Sequence, residues 1–210
     1  GFLPFGMGRL PLRFVRGTIS ARQLGNILAN GSSEFFSSIA GSVMMVILNS
    51  VLLRLSGSMA VAAFSIVMYV DSIVGALLFG MADSMQPAIS YNYGAGSRTR
   101  MFALEKRVLT AAAAISLAVL VWMQLGGEQV IPLFLKEEDS ALLDMTLRAM
   151  ELFSLSYLLG WVSTCLSSFF TALNRPGLSL FLAFSRTLVF PLLSLLVLPG
   201  ALGLDGVWLI

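Results

Sequence analysis

Residues 35–53 read FFSSIAGSVMMVILNSVLL, nineteen positions without a charge. A helix of that length rises about 28 Å at 1.5 Å per residue, close to the thickness of a bilayer's hydrocarbon core. Comparable runs follow at 55–82, apolar apart from Asp71, at 108–127, at 152–174, and at 178–198, apolar apart from Arg186. Hydrophobic residues make up 57% of the 210-residue chain and charged residues 11%. A soluble domain carries about 25% charge, so this chain has too few charges to coat a water-facing surface. It is too apolar for disorder. The pattern predicts an all-α integral membrane protein, a polytopic bundle of five full transmembrane helices with the start of a sixth. Spans are expected at 24–53, 59–82, 105–125, 150–173 and 178–198, with 206–210 opening the sixth.

Turn formers punctuate these runs: Ser56-Gly57-Ser58, Gly94-Ala95-Gly96-Ser97, Gly126-Gly127, Asn174-Arg175-Pro176-Gly177 and Pro199-Gly200. Ser140 is placed to cap a helix that runs through Asp144 and Arg148 into the fourth span. Nine Lys and Arg residues (Arg9, Arg13, Arg16, Arg22, Arg98, Arg100, Lys106, Arg107 and Arg175) fall on one side of the spans. Three (Arg54, Lys136, Arg148) fall on the other, beside Glu128, Glu137, Glu138, Asp139 and Asp144. The positive-inside rule then sets the N-terminal segment in the cytoplasm and the acidic 128–148 loop outside.

The inventory excludes much chemistry. There is no histidine, which removes Ser-His catalysis and His-ligated metal. The single cysteine, Cys165, forms no internal disulfide. A net charge of +2 is weak for nucleic acid. No P-loop pattern marks ATP as an energy source, and 1–20 lack the apolar run of a signal peptide. The expectation is a non-enzymatic protein without a cofactor. The first residue is not Met and the last residues are apolar, which predicts a piece of a longer chain.

An ionisable group inside a span costs about 2.5–3.5 kcal/mol on insertion scales, so such groups face a cavity or a partner. Glu34 is one candidate. If its helix starts near Leu24, then Glu34, Ser38, Gly41, Met45 and Asn49 share one small or polar face, as a water-lined surface requires. Alternatively Glu34 is a boundary residue closing the span. Asp71 lies near the middle of the second span, on a face with Phe64, Met68 and Gly75, either as a functional carboxylate or as a structural partner for Arg186. Asp83 reads as a boundary charge. Arg186 reads as a structural intramembrane charge paired to a carboxylate or to free carbonyls, since Pro191 cannot donate to the carbonyl of Thr187.

The chain resembles the C-terminal half of multidrug and toxic compound extrusion (MATE) transporters. Three stretches carry the resemblance. One is Asn30-Gly31-Ser32-Ser33-Glu34-Phe35-Phe36, with Asn49 farther along the helix. The second runs from Tyr69-Val70-Asp71 to Gly80 and on through Gln86-Pro87-Ala88-Ile89-Ser90-Tyr91-Asn92-Tyr93-Gly94-Ala95-Gly96. The third is Arg186 with Pro191, then Leu198-Pro199 and Gly203-Leu204-Asp205-Gly206-Val207-Trp208. Gln86, Pro87, Asn92 and Gly94 form the most specific motif. The resemblance implies one lobe (23–210) of a two-lobe, twelve-helix transporter, with 1–22 as a cytoplasmic interlobe linker and the N-terminal lobe missing. It implies a multi-pass protein of the bacterial inner membrane that exports small organic cations in exchange for H⁺ or Na⁺. Glu34, with Asp71, would couple the cation, and Ser38, Asn49 and Tyr69 would support the cavity. Some family members carry an acid on helix ten. The corresponding span here has none, and Gly160 sits near that site.

Other readings predict different sites. A lipid-linked precursor flippase of the same superfamily needs a more basic cavity than Arg186 alone provides. An intramembrane aspartyl protease would pair Asp71 with Asp83, although both sit on one helix. A structural subunit would tolerate Ala at Glu34.

Overall fold

A computed structural model describes residues 20–131 and 140–210; residues 1–19 of the expected linker at 1–22 and the loop residues Lys136, Glu137, Glu138 and Asp139 lie outside these. The described residues are helical, without a strand. The first helix, α1, spans Ala21–Ser84. Ser20 caps it: its hydroxyl accepts the Gln23 amide at 3.3 Å, and the Gln23 side chain accepts the Ser20 amide at 3.0 Å.

Straight, the apolar segment Phe35–Gly94 would be about 90 Å long, three times the hydrocarbon core. Gly57 divides it. Its φ of 73° and ψ of −162° lie in a region that residues with a Cβ rarely enter. The two arms, 21–56 and 58–84, then lie side by side: Met45 and Asn49 line the same pocket as Ser65, Met68, Tyr69 and Ser72. Those residues are nearly mirror positions about Gly57, so α1 is an antiparallel hairpin.

Beyond it come α2 (Gln86–Gly94), α3 (Arg98–Val130), α4 (Ser140–Ser154), α5 (Gly160–Ala172), α6 (Pro176–Phe184), α7 (Phe190–Leu202) and the one-turn α8 (Leu204–Trp208). Ala60, Ala63, Val67, Val70, Val74, Leu78 and Ala82 recur at three- and four-residue steps and form the buried stripe of the second arm. It packs with Val108, Ala112 and Met123 of α3, Met150 of α4 and Trp208 of α8. The opposite face leaves Tyr69, Ile73 and Leu77 exposed, and α6–α7 expose Phe181, Phe190, Leu193 and Leu196. Apolar exposure on this scale suits lipid or another lobe rather than water.

Two expected stops and one expected continuity turn out differently. Gly126 and Gly127 do not end α3, which continues to Val130. A Cβ at Gly126 would lie 3.2 Å from the Trp122 ring and one at Gly127 3.1 Å from Leu147, so the pair gives a close packing surface. Pro199-Gly200 does not end α7 either; the chain turns at Gly203. Glycine and proline are tolerated in such helices because lipid offers the backbone no other partner. The helix from Ser140 is not continuous into the fourth span. It narrows to a 3₁₀ turn at Leu155–Leu158 and bends by 45° before α5. Ser154 contributes by donating to the Glu151 carbonyl (2.6 Å) and accepting the Gln124 amide (2.8 Å).

Candidate functional site

Two cavities open along the first arm of the hairpin. The first, about 240 Å³, is lined by Ser37 and Ser38 of α1, by Phe79 of the second arm, by Thr164, Ser167 and Ser168 of α5, and by Ala183, Arg186 and Thr187. Its cation has a structural origin. Residues Ser185–Val189 form a π turn, and Phe190 donates to the Ser185 carbonyl five residues back. A widened turn accommodates the donor missing at Pro191. It places the Arg186 guanidinium over the Phe79 ring, 5.5 Å from its centroid, where ring and cation attract.

Glu34 lies one helical turn before Ser38, and its backbone is helical; its side chain lies outside the described ones. The expected stripe divides beyond Ser38. Gly41 seats against Thr187, where a Cβ would stand 3.4 Å from the Thr187 methyl. Past this contact, Met45 and Asn49 enter a second pocket of about 360 Å³ with Phe64, Ser65, Met68, Tyr69 and Ser72. Tyr69 is 65% exposed. The Asn49 Oδ1 is buried without a hydrogen-bond partner, an acceptor free for a donor on a ligand. Ser38 and Asn49 therefore belong to different cavities, and Tyr69 sits with Asn49.

Asp71 accepts a hydrogen bond from the Tyr157 hydroxyl at 2.6 Å. Tyr157 reaches it from the 3₁₀ turn between α4 and α5, so the bend that breaks the fourth span aims this phenol. Arg186 acts on Asp71 electrostatically. Asp83 is more than a boundary charge: its Oδ1 accepts from Ser168 of α5 (2.5 Å) and from Gln86 of α2 (2.8 Å), tying three helices together. Asp71 and Asp83 stand about 18 Å apart along one helix. They engage different partners and do not form the dyad a protease would use.

The motif residues gather at the basic end. Pro87 occupies the first turn of α2, where no amide donor is needed. The Asn92 amide donates to the Ala88 carbonyl at 2.8 Å. Gln86, Pro87 and Gly94 border a groove of about 600 Å³ with Thr171 and Asn174. The α5–α6 seam is held by hydroxyls: Ser167 and Thr171 meet Ser179 at 3.0 and 2.7 Å. At the opposite end Arg148 bridges Glu151 (3.1 Å) and Asp205 (3.0 Å). Among the described residues no three of His, Cys, Asp and Glu converge on a metal-sized site.

The MatE family profile matches residues 35–196. No curated protein matches the chain. Among solved structures, a crystal structure of MATE in complex with MaL6 is similar at 23% identity with a TM-score of 0.92, covering 99% of this chain and 47% of that one. The outward-facing conformation of a multidrug resistance MATE family transporter of the MOP superfamily is similar at 23% identity and a TM-score of 0.88, with the same coverage of 99% and 47%. The inward-facing conformation of such a transporter gives 25% and 0.80, covering 91% of this chain and 44% of that one. The chain spans about half the length of the solved structures it matches.

Proposed function

Because the chain belongs to the MatE family, we propose that it forms the C-terminal lobe, 23–210, of a secondary antiporter that exports organic cations in exchange for H⁺ or Na⁺. Residues 1–22 serve as the interlobe linker, and a second lobe completes the transporter. The membrane is the bacterial inner membrane, with the basic end in the cytoplasm.

The observation that carries this reading is the arrangement of two chemically different cavities along one arm of the hairpin. Glu34, one helical turn before Ser38 at the arm's basic end, binds the coupling ion; the cavity next along the arm is lined by the hydroxyls of Ser37 and Ser38 and by the Arg186 guanidinium. Asp71, held by Tyr157, sets the charge opposite Arg186. The substrate's apolar body rests on Met45, Met68 and Tyr69, soft and aromatic surfaces that accept varied shapes. Asn49 Oδ1 takes an N–H of the substrate. Ion and substrate each favour one of two lobe arrangements, and their alternation moves the substrate outward. One charge moving down 100 mV releases about 2.3 kcal/mol, which drives a useful concentration ratio.

The test is efflux by the full-length protein in proteoliposomes, using a fluorescent organic cation under an imposed Na⁺ or pH gradient. Uphill movement driven by one gradient is expected. A folded protein that moves the cation under neither gradient would refute the antiport.

A further inference from the structure

Glu105 lies outside both cavities. It occupies the buried stripe of α3, one turn from Met101 and Val108, which belong to two apolar clusters. Glu105 is 5% exposed, and its Oε1 has no hydrogen-bond partner. Next to Lys106 and Arg107 in sequence it reads as an ordinary boundary charge, yet those two are exposed and Glu105 turns inward.

An unpaired carboxylate buried among apolar groups is unstable by many kcal/mol, and such a group neutralises instead. Neutralisation needs a cation, and the surroundings choose which one. Sodium requires several converging oxygens, whereas Met101 and Val108, a turn away on either side, offer none from their side chains. A proton requires only the carboxyl oxygen itself. We infer that Glu105 is a proton-binding site in the seam between α3 and α5, loaded while the seam is closed.

The titratable groups on the elements packed against α3 fit this assignment. From α5 comes Cys165, its electrostatic neighbour, buried and without a charge to offer. From the end of α1 comes Asp83, already engaged by Ser168 and Gln86. From α2 come only the exposed Tyr91 and Tyr93, and from the 3₁₀ turn Tyr157, bound to Asp71. The charges of α4, Asp144, Arg148 and Glu151, sit at the opposite end of the bundle. The cations of the basic end, Arg98, Arg100, Lys106, Arg107 and Arg175, are exposed, whereas Glu105 is buried. When the seam parts at the basic end, the O–H bond breaks, the proton passes to water and the carboxylate becomes hydrated. Closure reverses the transfer.

Infrared difference spectroscopy on the full-length protein, wild type minus Glu105→Gln at pH 7, tests this without any transport readout. Failure of the antiport assay therefore leaves the site standing, and the reverse. The expected difference is the C=O stretch of one protonated carboxyl, retained in Glu105→Asp. A carboxylate stretch in its place would overturn the assignment. Should Glu105→Gln fail to fold, lipophilic carbodiimide labelling of the wild type serves, because the adduct forms on a protonated carboxyl. An adduct at Glu105, with exposed Glu151 and Asp205 unmodified, is expected; its absence at Glu105 overturns the site.

Discussion

The cavity at Ser37 and Ser38 holds five hydroxyl residues besides Thr187 and a guanidinium over the Phe79 ring, whereas the pocket at Met45 and Asn49, on the same helix, sets thioethers and aromatic rings beside the hydroxyls of Ser65 and Ser72. Gly41, seated against Thr187, lies between them along the helix. An ion needs fixed dipoles and charge, while a varied organic ligand needs soft surface and few directional groups. Under the proposed function, two sites at different depths on one arm would let ion and substrate communicate through the arm's position rather than by competing for the same atoms.

The sharpest way to break this separation is Glu34→Gln. Efflux is expected to vanish in a proteoliposome assay, while equilibrium binding of the organic cation changes by less than about threefold. Equal loss of both would merge the two sites. Next in size is Tyr157→Phe, which strips Asp71 of its donor. A hydrogen bond to a charged group contributes about 1.5–3 kcal/mol, and a thermal unfolding scan in detergent should show a loss of that order. Gly41→Leu attacks the dividing contact. Overpacking at Thr187 should cost about 1–3 kcal/mol by the same scan and weaken both ion and substrate binding. Asn49→Ala is the mildest. It removes an orphaned acceptor, so stability should hold or rise, while substrate affinity falls by up to about tenfold, the worth of one good hydrogen bond, by isothermal titration. Ion coupling should be unaffected.

Much of the fold is legible in the charge-free runs, because lipid punishes ionised groups strongly enough to write the spans into composition. Gly57 and Asn174-Arg175-Pro176 also read correctly as breaks, since each takes a left-handed backbone, at φ 73° for Gly57 and 55° for Asn174. The misread stops at Gly126-Gly127 and Pro199-Gly200 share one cause. Turn propensities describe a backbone that has water as an alternative partner, which a membrane helix lacks. The bend at Leu155–Leu158 arises from serine back-bonding and Gln124, a contact thirty residues away that no local pattern contains.

The site divides in the same way. Glu34, Asp71 and Arg186 stand out because they are charges within apolar runs. Tyr157 carries no such mark; only the bend reveals it. Glu105 hides beside Lys106 and Arg107. Its signal is the register Met101, Glu105, Val108, Ala112, Ser116, a helical stripe in which an acid replaces an apolar residue.

Alternating access at position 34 is the claim on which the rest depends. Its most direct test is Glu34→Cys in the full-length protein with Cys165→Ser, labelled from each side by a membrane-impermeant thiol reagent during turnover. Reaction is expected from the outside in one half of the cycle and from the cytoplasm in the other, switched by ion and substrate. A thiol open to the cytoplasm under every condition would contradict it.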